Sequence, residues 1–221
     1  MERDVVLVQD SFYPVTLKLQ GRCCLVVGGG SVAARKVANL LECGAEVRLV
    51  SPDITEELTE EVRRGRINYL KRVFEQGDLD GVHLVISATD NAELNRKIAG
   101  YCEALCIPVN VVDNPELSTF FVPSVVRRGP LCISISTEGN SPLFARRLRE
   151  TLEQLIGPEY GELAVLFGEL RRLLQKQITD PVERREIWEK ILPPGSLADL
   201  DKGSTSVIRK RVKECISSLL E

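Results

Sequence analysis

Three consecutive glycines, Gly28 to Gly30, separate an apolar run from a helical pattern and are the residues best suited to hold a ligand. With Ala33 they fit G-x-G-x-x-A, in which Gly28 permits a tight turn, Gly30 lets a pyrophosphate approach the backbone, and Ala33 packs the helix on the sheet. The start of that helix offers N–H groups and a partial positive charge to phosphates. The pattern predicts a dinucleotide site, and a tight turn without a ligand is the alternative.

Ser51 and Asp53 follow the second predicted strand. An acidic residue at this place in an NAD site holds the adenosine ribose, so Asp53 either binds the ribose or caps the helix that begins near residue 54. No arginine stands at the strand end, and Arg48 lies within the strand. This arrangement favours NAD over NADP, whose 2′-phosphate needs a basic partner.

Two further strands are predicted to end in residues that are placed for cofactor chemistry. Ligands sit beyond the carboxyl ends of parallel strands, so Ala88 and Thr89 are expected to touch the cofactor. The alternative is that Thr89 or Asp90 caps the next helix, and the two roles are compatible. Asp113 ends the following strand, where its carboxylate can accept a proton while a nicotinamide ring accepts a hydride. The alternative for Asp113 is a turn-forming role before Asn-Pro.

Basic residues cluster in the middle of the chain, at Arg127, Arg128, Arg146, Arg147 and Arg149. They form either a solvated helical face or a local site for a polyanionic ligand. The formal net charge of the whole chain is −3, which gives no general reason to expect nucleic-acid binding.

Strands alternate with helices through the first half of the chain, which predicts an α/β fold with a doubly wound parallel sheet of the Rossmann type. The predicted strands are 23–27, 46–50, 67–70, 82–88 and 108–112, and the predicted helices are 31–43, 54–64 and 91–105. Gly44 is expected to follow the end of the first helix as its C′ residue. This sheet would bring the glycine loop and the polar strand ends to one edge.

The pattern changes after residue 113. Two strands are predicted over 120–126 and 131–136, and Pro123 inside the first one indicates an edge, a bend or a bulge. The later chain is helical, and the predicted helices are 142–156, 159–178, 181–191 and 204–220. We expect an NAD-binding domain over 1–114, a small β-containing dimerisation segment over 115–150 and a helical domain over 151–221. A homodimer is expected because the apolar residues around Phe120 and Phe121 exceed what a short edge segment can bury.

Other features limit the range of functions. No run of 18 apolar residues exists, so no membrane span is predicted. The first residues, Met1 to Asp4, lack the pattern of a signal peptide, so we expect a cytoplasmic protein. The seven cysteines are irregularly spaced and are expected to be mostly small buried residues, not metal ligands. His83 is the only histidine and is expected to pack within a strand, which argues against Ser-His-Asp catalysis.

Four motifs occur in one order along the chain: VVGGGSVAARK, ATDN, NVVDNPEL and ISTEGNSPLFARRLRE. Together they resemble the precorrin-2 dehydrogenase family, which includes the amino-terminal part of siroheme synthase. The resemblance covers nearly all of residues 11–190 and weakens toward the carboxyl terminus. It implies an NAD domain, a dimerisation segment and a helical domain, and because the chain ends at Glu221 we expect no methyltransferase module.

The resemblance implies an enzyme that oxidises precorrin-2 to sirohydrochlorin with NAD as the hydride acceptor, in siroheme biosynthesis. The family's proposed catalytic aspartate matches Asp113. Some members also insert ferrous iron, and the resemblance leaves open whether this chain does; such an activity would use substrate carboxylates and Asp113 without a resident metal. The family serine that is modified corresponds to Thr137, so that regulation is also open. A non-catalytic NAD-sensing module is the alternative function.

The residues and the resemblance together define the expected contacts. The predicted cofactor-binding residues are Gly28, Gly29, Gly30, Ser31, Val32, Ser51, Asp53, Ile54, Ala88 and Thr89. Precorrin-2 carries eight carboxylates, which arginines can hold by charge-assisted, bidentate bonds. The predicted substrate-binding residues are Asn110, Arg127, Arg128 and Arg146.

Overall fold

The computed structural model of the protein describes residues 12–197 and 202–220. The residues on which the expectation of no signal peptide depends, 1–4, lie outside the described residues. None of the described helices combines the length and the apolar character that crossing a membrane requires.

A five-stranded parallel sheet forms the centre of the first half of the chain. Its strands are β1 (Cys23–Val27), β2 (Glu46–Val50), β3 (Ile67–Leu70), β4 (Leu84–Ser87) and β5 (Val109–Val111). The helices between them are α1 (Ser31–Glu42), α2 (Glu56–Arg63) and α3 (Ala92–Ala104). The strand order is β3-β2-β1-β4-β5, so the order reverses at β1, which has β2 on one side and β4 on the other. The predicted doubly wound sheet of the Rossmann type is confirmed.

Apolar side chains cover both faces of this sheet. Cys24 and Val26 of β1 pack in one cluster, while the alternate residues Leu25 and Val27 pack in another. Burial on both faces explains why the strand is a continuous apolar run. Ala33 is fully buried in the first cluster, as expected for a small residue that lets α1 approach the sheet.

Helix α1 ends as the sequence predicts. Gly44 has a φ of +71°, in the left-handed region that glycine adopts without strain, and its N–H donates to the carbonyl oxygen of Leu41 at 2.9 Å. The chain then turns directly into β2, so the spacing between α1 and the second strand is fixed by this cap.

An ion pair between a partly exposed arginine and a buried aspartate closes the loop before β4. Arg72 donates to the two carboxylate oxygens of Asp78 at 2.6 and 2.8 Å, and the Glu75 N–H donates to the same carboxylate at 2.9 Å. Burial raises the pKa of Asp78, but these hydrogen bonds and the charges of Arg72 and Arg48 outweigh it, so the pKa lies below its ordinary value. Ionised Asp78 therefore stabilises the fold at neutral pH, and this stabilisation is lost as the pH falls through the lowered pKa.

The chain divides into two compact units between Val122 and Pro123. The second unit contains an antiparallel pair, β6 (Ser124–Arg128) and β7 (Leu131–Ile135), followed by α4 (Pro142–Leu155), α5 (Pro158–Gln177), α6 (Pro181–Ile191) and α7 (Lys202–Leu220). Leu170, Leu174 and Val212 lie in the apolar cluster that α5, α6 and α7 share. The domain boundaries near 114 and 150 stay predictions.

The first strand of the middle segment begins later than the sequence predicts. The residues before Pro123 bond to β5 instead: the Thr119 N–H donates to the Val109 carbonyl oxygen at 2.8 Å, and Asn110 Nδ2 donates to the Phe120 carbonyl oxygen at 3.0 Å. Pro123, which has no N–H to donate, lies before β6 and not inside it.

Two expectations about side chains are wrong. His83 is exposed and not packed, because β4 begins one residue later and only the backbone N–H of His83 bonds to β1, at Cys23. The cysteines are not mostly buried, since only Cys24 and Cys102 are fully so. The exposed cysteines are Cys43, Cys106 and Cys132. Burial raises the pKa of the Cys24 and Cys102 thiols to about 11, so both stay protonated at neutral pH.

Candidate functional site

The first two glycines of the loop after β1 are required by close packing. Gly28 has a φ of +116°, and a Cβ at this position would lie 2.2 Å from the carbonyl oxygen of Ala88. A Cβ at Gly29 would lie 1.8 Å from the carbonyl oxygen of Asp53. A Cβ at either position would overlap these backbone oxygens, so no side chain fits there. The turns after β2 and β4 pack directly against the glycine loop.

Gly30 has a different environment. It is the N-cap of α1, its φ is −80°, and a Cβ there would meet no atom of the described chain within 4 Å. The first i→i−4 bond of the helix runs from the Ala34 N–H to the Gly30 carbonyl oxygen at 3.0 Å. The N–H groups of Ser31, Val32 and Ala33 precede this bond, so they point out of the helix start and can bind an anion. A phosphate of a dinucleotide fits this open side of Gly30, where a side chain would stand in its way.

The turn after β2 packs on the glycine loop. Ser51 is buried, and its Oγ donates to the Asp53 carbonyl oxygen at 2.7 Å, while the Thr55 N–H donates to the Gly29 carbonyl oxygen at 3.0 Å. Thr55 is the N-cap of α2, so the alternative that Asp53 caps this helix is wrong. Asp53 is exposed, and Ile54 packs against the first apolar cluster. The carboxylate of Asp53 is therefore available to a ligand beside the glycine loop.

An asparagine that the sequence pattern does not single out holds the end of β4. Asn95 of α3 accepts hydrogen bonds from Ser87 Oγ at 2.7 Å and Thr89 Oγ1 at 2.9 Å, and its Nδ2 donates to the Thr89 carbonyl oxygen at 3.0 Å. The N-cap of α3 is Asn91, so neither Thr89 nor Asp90 caps the helix. The three bonds of Asn95 fix the turn that contains Thr89.

Asp113 lies in the turn after β5, and its side chain is exposed at the carboxyl edge of the sheet. Its φ is +57°, in the left-handed region that is uncommon for residues other than glycine but that aspartate tolerates. The turn is held on both sides: the Val112 N–H donates to the Ser87 carbonyl oxygen at 2.9 Å, and Asn114 caps the short 3-10 helix that follows. The turn-forming role and an accessible carboxylate are thus both present.

Lys36 of α1 is a second charged residue near this turn. The only feature of the sequence that could have identified it is a lysine among small and apolar residues of the helix. The side chain is half-buried. Burial lowers the pKa of Lys36, neighbouring Arg35 lowers it as well, and the negative charge of Asp113 acts in the opposite direction. The negative charge of Asp113 therefore partly offsets the effect of burial on the charged form of Lys36.

Two of the predicted substrate-binding residues bond to the backbone of their own unit. Asn110 is buried on β5, and its amide donates to the Phe120 carbonyl oxygen. Arg128 donates from Nε to the Ile156 carbonyl oxygen at 2.7 Å and from Nη2 to the Glu153 carbonyl oxygen at 2.8 Å. These bonds satisfy carbonyl groups at the end of α4. A contact of either side chain with a substrate stays a prediction.

The remaining arginines of the second unit lie at or near the protein surface. Arg147 and Arg146 bond to Glu150 at 2.9 and 3.0 Å, and these bonds hold the pKa of Glu150 below its ordinary value. Arg149 pairs with Glu153. Arg127 on β6 is exposed. Their contact with a substrate likewise stays a prediction.

The carboxyl ends of β1, β2, β4 and β5 thus bring together the glycine loop, the turns after β2 and β4, and Asp113. Among the residues that the structure describes, no group of three histidine, cysteine or acidic side chains is arranged to hold a metal ion. A parallel sheet with a glycine loop and a helix start at its switch point defines a nucleotide-binding protein of the Rossmann class.

Three family descriptions match successive parts of the chain. Residues 15–124 match "Putative NAD(P)-binding", residues 128–155 match "Sirohaem biosynthesis protein central", and residues 159–216 match "Sirohaem synthase dimerisation region". The chain therefore belongs to the family formed by the amino-terminal domains of siroheme synthases, and it has a nicotinamide-dinucleotide-binding domain.

Individual relatives agree with this family. The siroheme synthase of Methylobacillus flagellatus is 47% identical over 178 residues, which are 80% of this chain and 38% of that protein. That of Thioalkalivibrio sulfidiphilus is 46% identical over 181 residues, which are 82% of this chain and 37% of that protein. The chain thus spans less than two-fifths of the length of these two relatives. A solved structure described as SirC, precorrin-2 dehydrogenase, matches 92% of this chain and 100% of its own, with a TM-score of 0.69 and 25% identity.

Proposed function

We propose that this chain oxidises precorrin-2 to sirohydrochlorin with NAD, a step in siroheme biosynthesis. The observation that carries the proposal is an open glycine position at the start of α1, Gly30, together with an exposed carboxylate, Asp113, at the same edge of one sheet. The similarity to siroheme synthases and to a solved precorrin-2 dehydrogenase supports the choice of substrate. Because the chain spans only part of the siroheme synthases, the proposal concerns this single step.

NAD is proposed over NADP because of the residues around the end of β2. Asp53 is exposed beyond the strand, where a carboxylate accepts hydrogen bonds from ribose hydroxyls. Arg48 donates to the carbonyl oxygens of Asp78 at 2.7 Å and Asp80 at 3.3 Å. Its guanidinium is therefore engaged with the loop before β4 and is not available to a 2′-phosphate.

NAD, when bound, would supply the hydride acceptor, and the chain would bind it and move the proton. The N–H groups of Ser31 and Val32 would bind its pyrophosphate at the open side of Gly30. Ser51 and Asn95 keep the two flanking turns in place through their hydrogen bonds. Oxidation of the substrate releases a proton with each hydride, and Asp113 is the carboxylate at this edge that would accept it.

Arginines of the second unit would bind the carboxylates of precorrin-2. Arg127 is exposed, and Arg146 forms a solvent-accessible pair with Glu150, so both can turn to an anionic ligand. Arg128 and Asn110 would act indirectly, because their bonds to the backbone hold the ends of α4 and β5 in place.

We also propose that the chain forms a homodimer. Leu143 and Phe144 of α4 expose large apolar side chains, and the Phe144 residue is 60% exposed. Such neighbours are typical of a surface that another protein covers. The family description of residues 159–216 as a dimerisation region supports an interface that extends beyond the segment 115–150 expected from the sequence.

An anaerobic assay of the purified chain with precorrin-2 and NAD tests the proposed function. We expect formation of NADH that requires both compounds, with slower formation when NADP replaces NAD. The Gly30→Val variant is the matched control, because it keeps Asp113 but fills the open side of Gly30 where the pyrophosphate would bind. Binding of NAD without any NADH formation would instead favour the NAD-sensing module. Addition of ferrous iron to the product mixture then reads out iron insertion separately.

A further inference from the structure

Tyr69 of β3 bonds to the turn that carries Asp53. Its hydroxyl donates to the carbonyl oxygen of Ser51 at 3.0 Å and, at the longer distance of 3.3 Å, to that of Pro52. In the part of the chain that the structure describes, no other hydrogen bond reaches either oxygen. Pro52 has no N–H group to donate. The backbone directly before Asp53 is therefore held by this one tyrosine.

The sheet fixes the ring of Tyr69. Tyr69 lies opposite Leu49 in the parallel pairing of β2 and β3, and both side chains pack with the first apolar cluster. Strand β2 ends one residue after Leu49, at Val50. A tyrosine at this register is long enough to carry its hydroxyl past the end of β2 to the turn, while its ring stays half-buried among apolar side chains.

The backbone of Asp53 is held on both sides, and its carboxylate is free. Its carbonyl oxygen accepts from Ser51 Oγ at 2.7 Å and lies against Gly29, while Tyr69 bonds to the peptide group before it. These contacts fix the direction in which the side chain leaves the turn. The carboxylate is exposed and takes part in no hydrogen bond or ion pair among the described residues, so it can bind a ligand.

We propose that Tyr69 is a positioning residue that holds Asp53 in place for the adenosine ribose and so determines the preference for NAD over NADP. This inference rests on the proposed function, in which Asp53 binds the ribose hydroxyls. A carboxylate that accepts from these hydroxyls must keep one position, and the same carboxylate repels the 2′-phosphate of NADP. If the turn shifts, NAD loses hydrogen bonds and NADP meets less repulsion. The ratio of the two affinities then falls for both reasons.

Titration calorimetry of the whole chain with NAD and with NADP measures this ratio without any substrate. Tyr69→Phe removes the hydroxyl and keeps the ring, and it should lower the preference for NAD at least about fivefold, which corresponds to the net loss of one hydrogen bond. Tyr101→Phe is the matched control and should leave the ratio unchanged, because the Tyr101 hydroxyl on α3 has no hydrogen bond within the described chain. Thermal unfolding confirms that each variant is folded.

Two results with Tyr69→Phe would overturn the proposal. An unchanged ratio, with or without a loss of thermal stability, would mean that the hydroxyl serves the fold alone. An equal loss of affinity for NAD and for NADP would mean that Tyr69 supports the site as a whole and does not determine its specificity.

Asp53→Asn separates this inference from the proposed function. The preference for NAD should fall in Asp53→Asn, and adding Tyr69→Phe should lower it little further, since the hydroxyl acts through the carboxylate. Independent losses in the double variant would overturn the positioning role. If Asp53→Asn lowers the ratio and Tyr69→Phe does not, or if Asp53→Asn leaves the ratio unchanged, the inference is wrong while NADH formation from precorrin-2 still supports the proposed function. If the unchanged chain binds neither cofactor, both are wrong.

Discussion

Replacing Gly30 with valine separates cofactor binding from packing in the glycine loop. A Cβ at Gly30 meets no described atom within 4 Å, and a φ of −80° is accessible to any residue. We therefore expect the free energy of unfolding to change by less than about 1 kcal/mol, mainly through the weaker N-cap. The branched side chain would occupy the space that the pyrophosphate needs, so affinity for NAD should fall at least about tenfold, which is about 1.4 kcal/mol.

Gly29→Ala is the matched comparison, because it adds the first atom of a side chain at the neighbouring position. Its Cβ would lie 1.8 Å from a backbone oxygen of Asp53, which cannot rotate away as a side chain would. The turn after β2 must move, and overpacking of this kind costs about 1–3 kcal/mol of stability. Titration calorimetry with NAD and thermal unfolding on both variants give the two quantities. A folded Gly30→Val variant with unchanged NAD affinity would refute the assignment of the pyrophosphate site to Gly30. A fully stable Gly29→Ala variant would refute the close packing of Gly29 against the Asp53 carbonyl oxygen.

Other sites give predictions of their own. Asp78→Asn should lower the free energy of unfolding at pH 7 by about 2 kcal/mol. In denaturant titrations from pH 7 to 3, the difference in stability between the variant and the original chain should shrink as Asp78 becomes protonated. A difference that stays constant with pH would contradict the role of the ion pair. Asn95→Ala should weaken NAD binding and thermal stability together, since it frees Ser87 and Thr89, and calorimetry that detects neither loss would contradict its role. Phe144→Asp should bring the mass by light scattering to that of one chain, 24.6 kDa, whereas Leu105→Asp, at an apolar residue 52% exposed on the first unit, should not.

Local patterns were sufficient for the sheet. The predicted bounds of β1, β2 and β3 agree with the structure, and β1 shows the pattern best, as a short apolar run whose last four residues are buried. The start of α4 follows equally from Ser141 and Pro142, since the serine side chain accepts a hydrogen bond from the Phe144 N–H and proline suits the first helical position. In these places the residues that decide the structure are neighbours in the chain.

Distant partners explain what the sequence did not predict. Asn95 lies on the same buried face of α3 as Ile98 and Cys102, and only its position under the end of β4 gives its polar groups partners. Arg128 was expected to bind substrate because arginine suits carboxylate ligands. Its N–H groups instead donate to carbonyl oxygens at the end of α4, more than twenty residues later in the chain. The strict need for glycine at Gly29 likewise depends on a turn that follows another strand.

The central claim is that Asp113 accepts the proton while NAD takes the hydride. Anaerobic stopped-flow oxidation of precorrin-2, with saturating NAD and enzyme in excess, measures this step in a single turnover. Asp113→Ala should keep its affinity for NAD and lose at least about a hundredfold in rate, as expected for removal of a general base. His83 is exposed and directly precedes the amino-terminal end of β4, at the opposite edge of the sheet from Asp113. His83→Ala should therefore oxidise precorrin-2 at nearly the normal rate. A near-normal rate in Asp113→Ala would contradict the account, because the proton would then leave through solvent or through the carboxylates of the substrate.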